Sequence, residues 1–434
     1  MNPRPRIIAA AQIVTPSGII EDGAVRIVDG RIEAVDAARL LLSDSNLQSP
    51  TSNLLSAPIL MPGFIDMHVH GFAGLALGGG AEVAREASRL VASTGVTTWY
   101  AGLGHGATLE AIAETVGQAA SVTGVETGGA KLAGIFMEGP YISVEKRGAW
   151  PAANLRAPSI IEMRRLVEAS QGRIRRFNVA PELPGALEFI RAARERGIAV
   201  SLGHSNATYE EAIAGGEAGA TIANHTYNAM SGLDHRRPGL VGATLASDAL
   251  LAELILDGVH VHPAAAQALF RARGSSGVAL ITDGSQMTGM PEGTYERAGR
   301  TLVVKDGACR LPDGTLAGSV STFDRDVRNA FEWLTRDLVE LAALSSGNAA
   351  RAMGIDRATG AITPGLAADL VLLDEGLNVL ATVVEGEVVW ERDDGHAPLG
   401  EPKGSAGPTV GRPSGRPLRK RRPPPRATEG GSEV

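Results

Sequence analysis

Short apolar runs alternate with longer amphipathic stretches along most of this chain. Each run is followed by a polar segment and then by a helix-like stretch. The eight runs are residues 59–70, 96–102, 132–139, 175–182, 198–205, 220–230, 250–260 and 277–284. Eight alternating β and α units within about 250 residues are typical of one architecture. The pattern therefore predicts an α/β protein with a (β/α)8 TIM barrel.

The two ends of the chain show a different pattern, with short strands close together. Residues 6–36 alternate around the dipeptide Asp29-Gly30, which favours a hairpin. The segments ADLVLLD, VLATVVEG and EVVWER near the other end also resemble strands. We therefore predict a small β-sandwich domain built from both chain ends. The predicted domains are residues 1–58 and 361–392 for the β domain, 59–360 for the barrel and 393–434 for a tail.

Charge and cysteine content narrow the possible partners and compartments. The net charge is −7, but residues 400–434 hold eight basic and three acidic side chains, so the rest carries −12. An acidic body argues against nucleic acid as the main partner, and the Pro/Gly/Arg-rich tail is expected to be disordered. The single cysteine, Cys309, and the lack of an apolar leader or membrane-length run predict a cytoplasmic protein without a membrane partner.

Polar side chains with catalytic potential lie mainly at the C-terminal ends of the apolar runs. In a TIM barrel these ends form one mouth, so the side chains are expected to converge there. Scattered core histidines would not be expected to favour strand ends so often. The residues are His68, His70, Glu138, His204, His225, His260 and Asp283.

A metal site is the chemistry that this set indicates. His68 and His70 lie on the same face of a strand, because strand side chains alternate. Glu138, His204 and His225 come from three different strand ends and form an open three-ligand set. An isolated H-x-H motif is a weak signal, and a single buried histidine is usually a hydrogen-bonded core residue. The combination of five such residues favours metal binding.

Asp283 ends the last apolar run, in the sequence ALITDG. A carboxylate at this position can accept a proton from a water molecule that a bound metal makes more acidic. The alternative is an ordinary Asp-Gly turn, which is common in proteins. With the candidate ligands expected nearby, we interpret Asp283 as a catalytic residue.

Several motifs together resemble one enzyme family. From about residue 6 to residue 392 the chain is similar to the N-acetylglucosamine-6-phosphate deacetylases of the amidohydrolase superfamily. The motifs are PGFIDMHVHG, MEGPYI, LGHS, NHTYNAM, RPG, DGVHV, ITDG and LAGS. The resemblance implies one or two divalent metals per subunit, with zinc or iron expected. It places the main site at Glu138, His204 and His225, a second site that only some members occupy at His68 and His70, and the general base and acid at Asp283.

The resemblance also implies substrate contacts. Asn228 and Ala229 match positions that hold the phosphate of an amino sugar 6-phosphate. Arg236 matches an arginine that reaches the phosphate, often across a dimer interface, so a homodimer is expected; from the residues alone, a surface charge is the simpler interpretation. His260 matches the histidine that orients the substrate amide. The implied reaction is hydrolysis of the N-acetyl group to acetate and the free amine, in amino-sugar catabolism.

Some positions depart from the family pattern. Trp150 stands where members usually have a histidine that helps to hold the substrate, and a bulky indole there can stack on a sugar ring or narrow the site. We interpret His105, His235, His262 and His396 as ordinary surface or loop residues. Three other functions remain possible: an amidohydrolase acting on another N-acyl amine, a non-catalytic scaffold with the same fold, and nucleic-acid binding through the tail.

Overall fold

A computed structural model describes residues 6–42, 54–297 and 299–393. The predicted tail therefore lies outside the described residues from residue 394 onward. Within them the strands are β1 Arg6–Thr15, β2 Gly18–Val28, β3 Arg31–Ala37, β4 Leu54–Pro62, β5 Phe64–Val69, β6 Gly71–Phe72, β7 Leu75–Ala76, β8 Val96–Leu103, β9 Lys131–Met137, β10 Ile174–Val179, β11 Ala199–Leu202, β12 Ile222–Ala223, β13 Leu251–Ile255, β14 Val278–Ile281, β15 Gly293–Arg297, β16 Arg300–Lys305, β17 Ala308–Arg310, β18 Leu316–Ser319, β19 Leu370–Leu373, β20 Val379–Val384 and β21 Glu387–Glu391.

Helices follow most of the barrel strands. The α-helices are α1 Ala38–Leu42, α2 Ala81–Ala92, α3 Leu109–Ala120, α4 Ile160–Ala169, α5 Ala186–Arg194, α6 Tyr209–Glu217, α7 Gly239–Ala246, α8 Pro263–Arg273, α9 Phe323–Trp333, α10 Leu338–Ala342 and α11 Asn348–Ala352. Short 3₁₀ turns lie at Leu77–Gly79 and Ala152–Asn154, and a π turn lies at Ala343–Gly347. In the described ranges, no helix is both long and apolar enough to cross a membrane.

Eight parallel strands form the predicted barrel. Their order is β5, β8, β9, β10, β11, β12, β13 and β14, and each predicted apolar run contributes one of them. The last strand returns to the first, where the backbone amides of His70 and Gly71 donate to the carbonyl of Gly284 at 2.8 and 3.0 Å. The (β/α)8 prediction is confirmed, and the strand ends meet at one mouth as expected.

The two chain ends form the second predicted unit. Strands β1 to β4 and β19 to β21 make one continuous seven-stranded sheet in the order β21-β20-β19-β4-β1-β2-β3. Apolar side chains from both ends, such as Ile8, Leu60 and Leu370, are buried together in its core. The strand Leu54–Pro62 pairs with β1 and β19, so its last residues belong to this sheet. The precise domain boundaries remain a prediction.

A third sheet was not predicted from the sequence. Strands β15 to β18 form a four-stranded antiparallel sheet between β14 and α9. Its own small core includes Met287, Leu302, Val304 and Cys309, the last of which is buried. The sheet returns the chain to the barrel mouth at Ser319, beside the end of β14.

Candidate metal centre

The predicted ligands meet at the C-terminal mouth of the barrel. His68 lies on β5, and Glu138, His204, His225 and Asp283 directly follow or lie near the ends of β9, β11, β12 and β14. The first four are buried, with at most 7% of any of them exposed. Their nitrogen and oxygen atoms form two groups, each with all ligand atoms within 4.8 Å of one another.

Glu138 belongs to both groups. In the first, its Oε1 lies 3.2 Å from Nε2 of His204 and 3.1 Å from Nε2 of His225. The two imidazole Nε2 atoms are themselves 3.1 Å apart. This is the three-residue set that the sequence indicated, and two imidazoles with one carboxylate fit a divalent metal.

The second group contains the two histidines of the H-x-H motif. Nε2 of His70 lies 3.1 Å from Oε2 of Glu138, and Nε2 of His68 lies 3.2 Å from its Oε1. Asp283 Oδ1 is 3.4 Å from Nε2 of each histidine. The structure therefore brings together all five predicted ligands and the predicted base.

Hydrogen bonds behind the centre orient the imidazole rings. Nδ1 of His70 is 2.9 Å from the carbonyl oxygen of Gly102, and Nδ1 of His204 is 2.8 Å from that of Lys146. Because a carbonyl can only accept, each Nδ1 carries the proton and donates it. In the neutral ring Nε2 then carries the lone pair and directs it into the centre, which is the tautomer that a metal requires.

The electrostatics also favour a cation. Burial alone would raise the pKa of the Glu138 carboxyl, but the imidazoles of His70 and His204 lower it well below its ordinary value. Burial lowers the pKa of His225 despite its hydrogen bond with Glu138. Burial on its own would lower the pKa of His68 and His70, but Asp283 and Glu138 raise that of His68 to about 10, and Glu138 raises that of His70. A bound cation would therefore take the place of protons on these two imidazoles.

Three of these residues have left-handed backbones. The φ angles of His204, His225 and Asp283 are 48°, 29° and 47°. Left-handed conformations are uncommon outside glycine, although Asp and His adopt them more often than most residues. The turn at each strand end places the side chain among the other candidate ligands, and this strain is of the kind that functional sites retain.

The end of the third sheet fixes the backbone around Asp283. The amide of Ser319 donates to the Asp283 carbonyl at 2.9 Å, and the Ser319 hydroxyl donates to the Thr282 carbonyl at 2.5 Å. Ser319 is the serine of the LAGS motif and is fully buried. The motif thus positions the carboxylate that the sequence marked as the base.

His260 is held by its own loop. Its Nδ1 is 2.7 Å from Oδ2 of Asp257, and its backbone amide donates to Oδ1 of Asp257 at 2.8 Å. Burial on its own would lower the pKa of His260, but the hydrogen bond and charge of Asp257 raise it above its ordinary value. The imidazole is therefore fixed by a carboxylate, with Nε2 left for another partner.

The predicted phosphate contacts differ in their positions. Asn228 and Ala229 follow His225 in a tight turn, where the side-chain Nδ2 of Asn228 donates to the His225 carbonyl at 3.3 Å. Arg236 lies on an exposed turn between Asp234 and Arg237. Among the described residues, the Arg236 side chain has no hydrogen-bond or ion-pair partner, so the structure does not bring it against the metal ligands.

One aromatic contact at the barrel mouth was not predicted from the sequence. The His105 ring stacks on the Trp150 indole, with centroids 3.7 Å apart and planes 9° apart, and it lies 5.8 Å from the His70 ring. Trp150 is 3% exposed. One face of the indole is thus covered, which favours narrowing of the site over stacking on a sugar. His105 lies between two glycines, and nothing in this part of the sequence indicates its contact with Trp150.

Comparisons with known proteins show which family the chain belongs to. The amidohydrolase family model matches residues 59–389. N-acetylgalactosamine-6-phosphate deacetylase of Escherichia coli O157:H7 is 34% identical over 385 residues, which cover 88% of this chain and 98% of that protein. N-acetylglucosamine-6-phosphate deacetylase of Bacillus subtilis is 33% identical over 395 residues, covering 88% and 97%.

A solved structure extends the agreement to three dimensions. It is a mutant of N-acetyl-D-glucosamine-6-phosphate deacetylase from Mycobacterium smegmatis in complex with N-acetyl-D-glucosamine-6-phosphate. It superposes with a TM-score of 0.80 and 32% identity, covering 89% of this chain and 99% of that one. The family match, the near-complete coverage of these relatives and the shared fold lead to one conclusion. The chain belongs to the amidohydrolase family and, within it, to the N-acetylglucosamine-6-phosphate deacetylases.

Proposed function

We propose that this protein hydrolyses N-acetylglucosamine-6-phosphate to glucosamine-6-phosphate and acetate, a step of amino-sugar catabolism. One observation carries the proposal: Glu138, two imidazoles and Asp283 converge at the barrel mouth. The chain around them is 33% identical to a deacetylase of that name over 97% of its length. The phosphorylated substrate and the single buried cysteine also support a cytoplasmic location.

Glu138, His204 and His225 would hold the main divalent metal, and His68 and His70 would contribute to a second. Zinc or iron suits this mixture of imidazole and carboxylate ligands. When bound, the metal supplies Lewis acidity, which polarises the amide carbonyl and lowers the pKa of water. The buried Glu138 carboxylate would contribute a ligand to either site, because it belongs to both donor groups.

Asp283 would move the proton. Its carboxylate faces the donor groups, 3.4 Å from both His68 and His70, and Ser319 holds its backbone in place. It takes a proton from the attacking water and gives it to the amide nitrogen as the C–N bond breaks. The products are then a neutral amine and acetic acid, and the acid loses its proton to the amine or to solvent to become acetate. His260, fixed by Asp257, donates a hydrogen bond to the amide oxygen as negative charge develops there.

The phosphate would lie away from the reacting amide. Asn228 contributes its side chain and Ala229 its backbone amide, and the left-handed φ of 47° at Ala229 turns the chain there. In a homodimer, Arg236 reaches the phosphate of the substrate that is bound to the neighbouring subunit. Its exposed turn and lack of a partner among the described residues of its own chain support that role. Guanidinium pairs with phosphate through charge-assisted bonds.

A second candidate function is deacetylation of the galactosamine epimer, N-acetylgalactosamine-6-phosphate. The Escherichia coli relative is an N-acetylgalactosamine-6-phosphate deacetylase and is as similar to this chain as the glucosamine enzymes. The buried Trp150 stacks on His105, and a bulky indole at this position would change which ring substituents fit. This observation justifies testing both epimers.

The experiment is a substrate panel with bound metal measured in the same sample. The panel contains N-acetylglucosamine-6-phosphate, N-acetylgalactosamine-6-phosphate, unphosphorylated N-acetylglucosamine and an unrelated N-acetyl amine. We expect acetate release to be fastest from the glucosamine phosphate and to depend on metal. Faster release from the galactosamine phosphate would favour the epimer. Equal rates with and without phosphate would contradict the proposal and favour another amidohydrolase activity.

A further inference from the structure

A fully buried arginine lies in the barrel interior beside the metal centre. Arg176, on β10, is 0% exposed, and its guanidinium lies 3.8 Å from the centre of the Phe136 ring. Burial of a guanidinium is costly unless its donors find acceptors. All three of its nitrogens do: Nε donates to the Ser201 hydroxyl at 3.1 Å, and the two Nη atoms donate to different partners.

One of these partners connects Arg176 to the imidazoles. Nη1 donates to Oε1 of Glu253, which is also 0% exposed. The other carboxylate oxygen accepts the backbone amide of His225 at 3.1 Å and lies 3.4 Å from Nδ1 of His68. A carboxylate at Nδ1 keeps the proton on that nitrogen and directs the lone pair of Nε2 into the metal centre.

The second partner connects Arg176 to the shared carboxylate. Nη2 donates to Oδ1 of Asn224, which fixes the orientation of that amide. The Asn224 Nδ2 group then donates to Oε1 of Glu138 at 3.3 Å. The two Nη atoms of the guanidinium are therefore linked to metal ligands on both sides, through Glu253 and through Asn224. A single lysine ammonium could not reproduce that geometry.

We propose that Arg176 and Glu253 are positioning residues, which orient the metal ligands of both donor groups through hydrogen bonds. Arg176 acts on His68 and His225 through Glu253 and on Glu138 through Asn224. The inference rests on the proposed function only where activity is the readout, because metal binding can be measured without a substrate. The competing explanation is that the pair only fills the interior of the barrel.

The test uses the full chain with Arg176→Met and, separately, Glu253→Gln. The measurements are Zn²⁺ affinity by competition with a chelator, turnover on N-acetylglucosamine-6-phosphate and the thermal midpoint. We expect each change to weaken Zn²⁺ binding by about 10-fold or more, the usual scale for residues that orient a ligand. The Gln side chain matches Glu in size, but it has only one oxygen for donors that now use two.

Lys131→Met is the matched control. Lys131 begins β9, the strand that Glu138 follows, and its ammonium pairs at 2.6 Å with the buried Asp369. This change also breaks an ion pair, between the start of β9 and the residue before β19, at the end of β9 opposite to Glu138. It should therefore lower the thermal midpoint and leave Zn²⁺ affinity within about twofold.

The outcomes separate the explanations. If both variants had lower thermal midpoints but unchanged Zn²⁺ affinity, Arg176 and Glu253 would only fill the interior of the barrel, and the proposal would be overturned. If Arg176→Met does not fold, the isosteric Glu253→Gln decides alone by the same criterion. Wild-type protein that binds Zn²⁺ but does not cleave the sugar phosphate would overturn the proposed function and leave this inference standing. Wild-type protein without Zn²⁺ affinity would overturn both.

Discussion

At the scale of single residues, the sequence predicted the site residues that interrupt or end apolar runs, but not the charged residues inside the barrel strands. His68, Glu138, His204 and His225 were predictable because each interrupts or ends an apolar run where a polar side chain is conspicuous. Arg176 and Glu253 were missed because a charged residue within a strand usually faces solvent. Only the closed barrel shows that these two face each other inside it.

The proton-transfer role of Asp283 can be tested by a single substitution. In Asp283→Asn the amide still fits the site but cannot accept a proton, so turnover should fall by about 100-fold or more while bound metal is retained. Acetate release and metal content are measured on the same preparation. Asp306→Asn is the control, because Asp306 has a similar φ of 50° but lies in an exposed turn. Near wild-type turnover in Asp283→Asn would show that another group is the base.

The His260–Asp257 pair predicts a pH-dependent contribution to stability. The pKa of His260 is raised, so its contribution is complete below the unfolded value of about 6.5 and is lost as pH rises through the folded value. The pKa of Asp257 is lowered, so its contribution is lost only in acid. Asp257→Asn should therefore lower the thermal midpoint most between about pH 4 and 6.5 and less at about pH 9. A midpoint difference that does not change with pH would contradict the assignment.

At the scale of elements, the eight barrel strands followed from apolar runs, whereas the sheet of β15 to β18 did not. Its strands are three to six residues long and partly polar, so their sequences resemble loops. The predicted sandwich is one continuous sheet, because β4 joins both chain ends through hydrogen bonds that no local pattern reveals. Pairing between distant segments depends on the whole fold.

The third sheet should affect turnover through Asp283. Gly318 has a φ of 72°, and a Cβ there would lie 2.9 Å from the Cβ of Ser285. Gly318→Ala should therefore displace the segment that holds Asp283 and lower kcat by about 10-fold or more, with metal retained. Gly314→Ala is the control: its φ is 89°, but nothing lies within 4 Å. It should cost about 1 kcal/mol of stability and leave kcat unchanged. Equal kcat values for the two variants would exclude this coupling.

At the scale of the whole molecule, the proposed role of Arg236 would link the site to the proposed homodimer. Arg236→Ala should reduce kcat/KM on the phosphorylated sugar by about 10-fold or more and change little on the unphosphorylated sugar. If Arg236 serves the neighbouring subunit, mixing Arg236→Ala with Asp283→Asn protomers should restore activity, because some dimers then contain one intact site. Activity of the mixture is compared with that of each variant alone. Equal losses on both sugars would show that Arg236 is structural.

The central place of β4 in the seven-stranded sheet has a consequence during synthesis. β4 is synthesised before the barrel, and β19, its neighbour on one side, follows only after roughly 310 further residues, which take about 15 to 60 s to translate. During that interval the nascent chain carries a strand edge with unpaired backbone groups. The barrel is synthesised between the two halves of the sheet. Completion of the sheet therefore joins segments of the polypeptide that are made before and after the barrel.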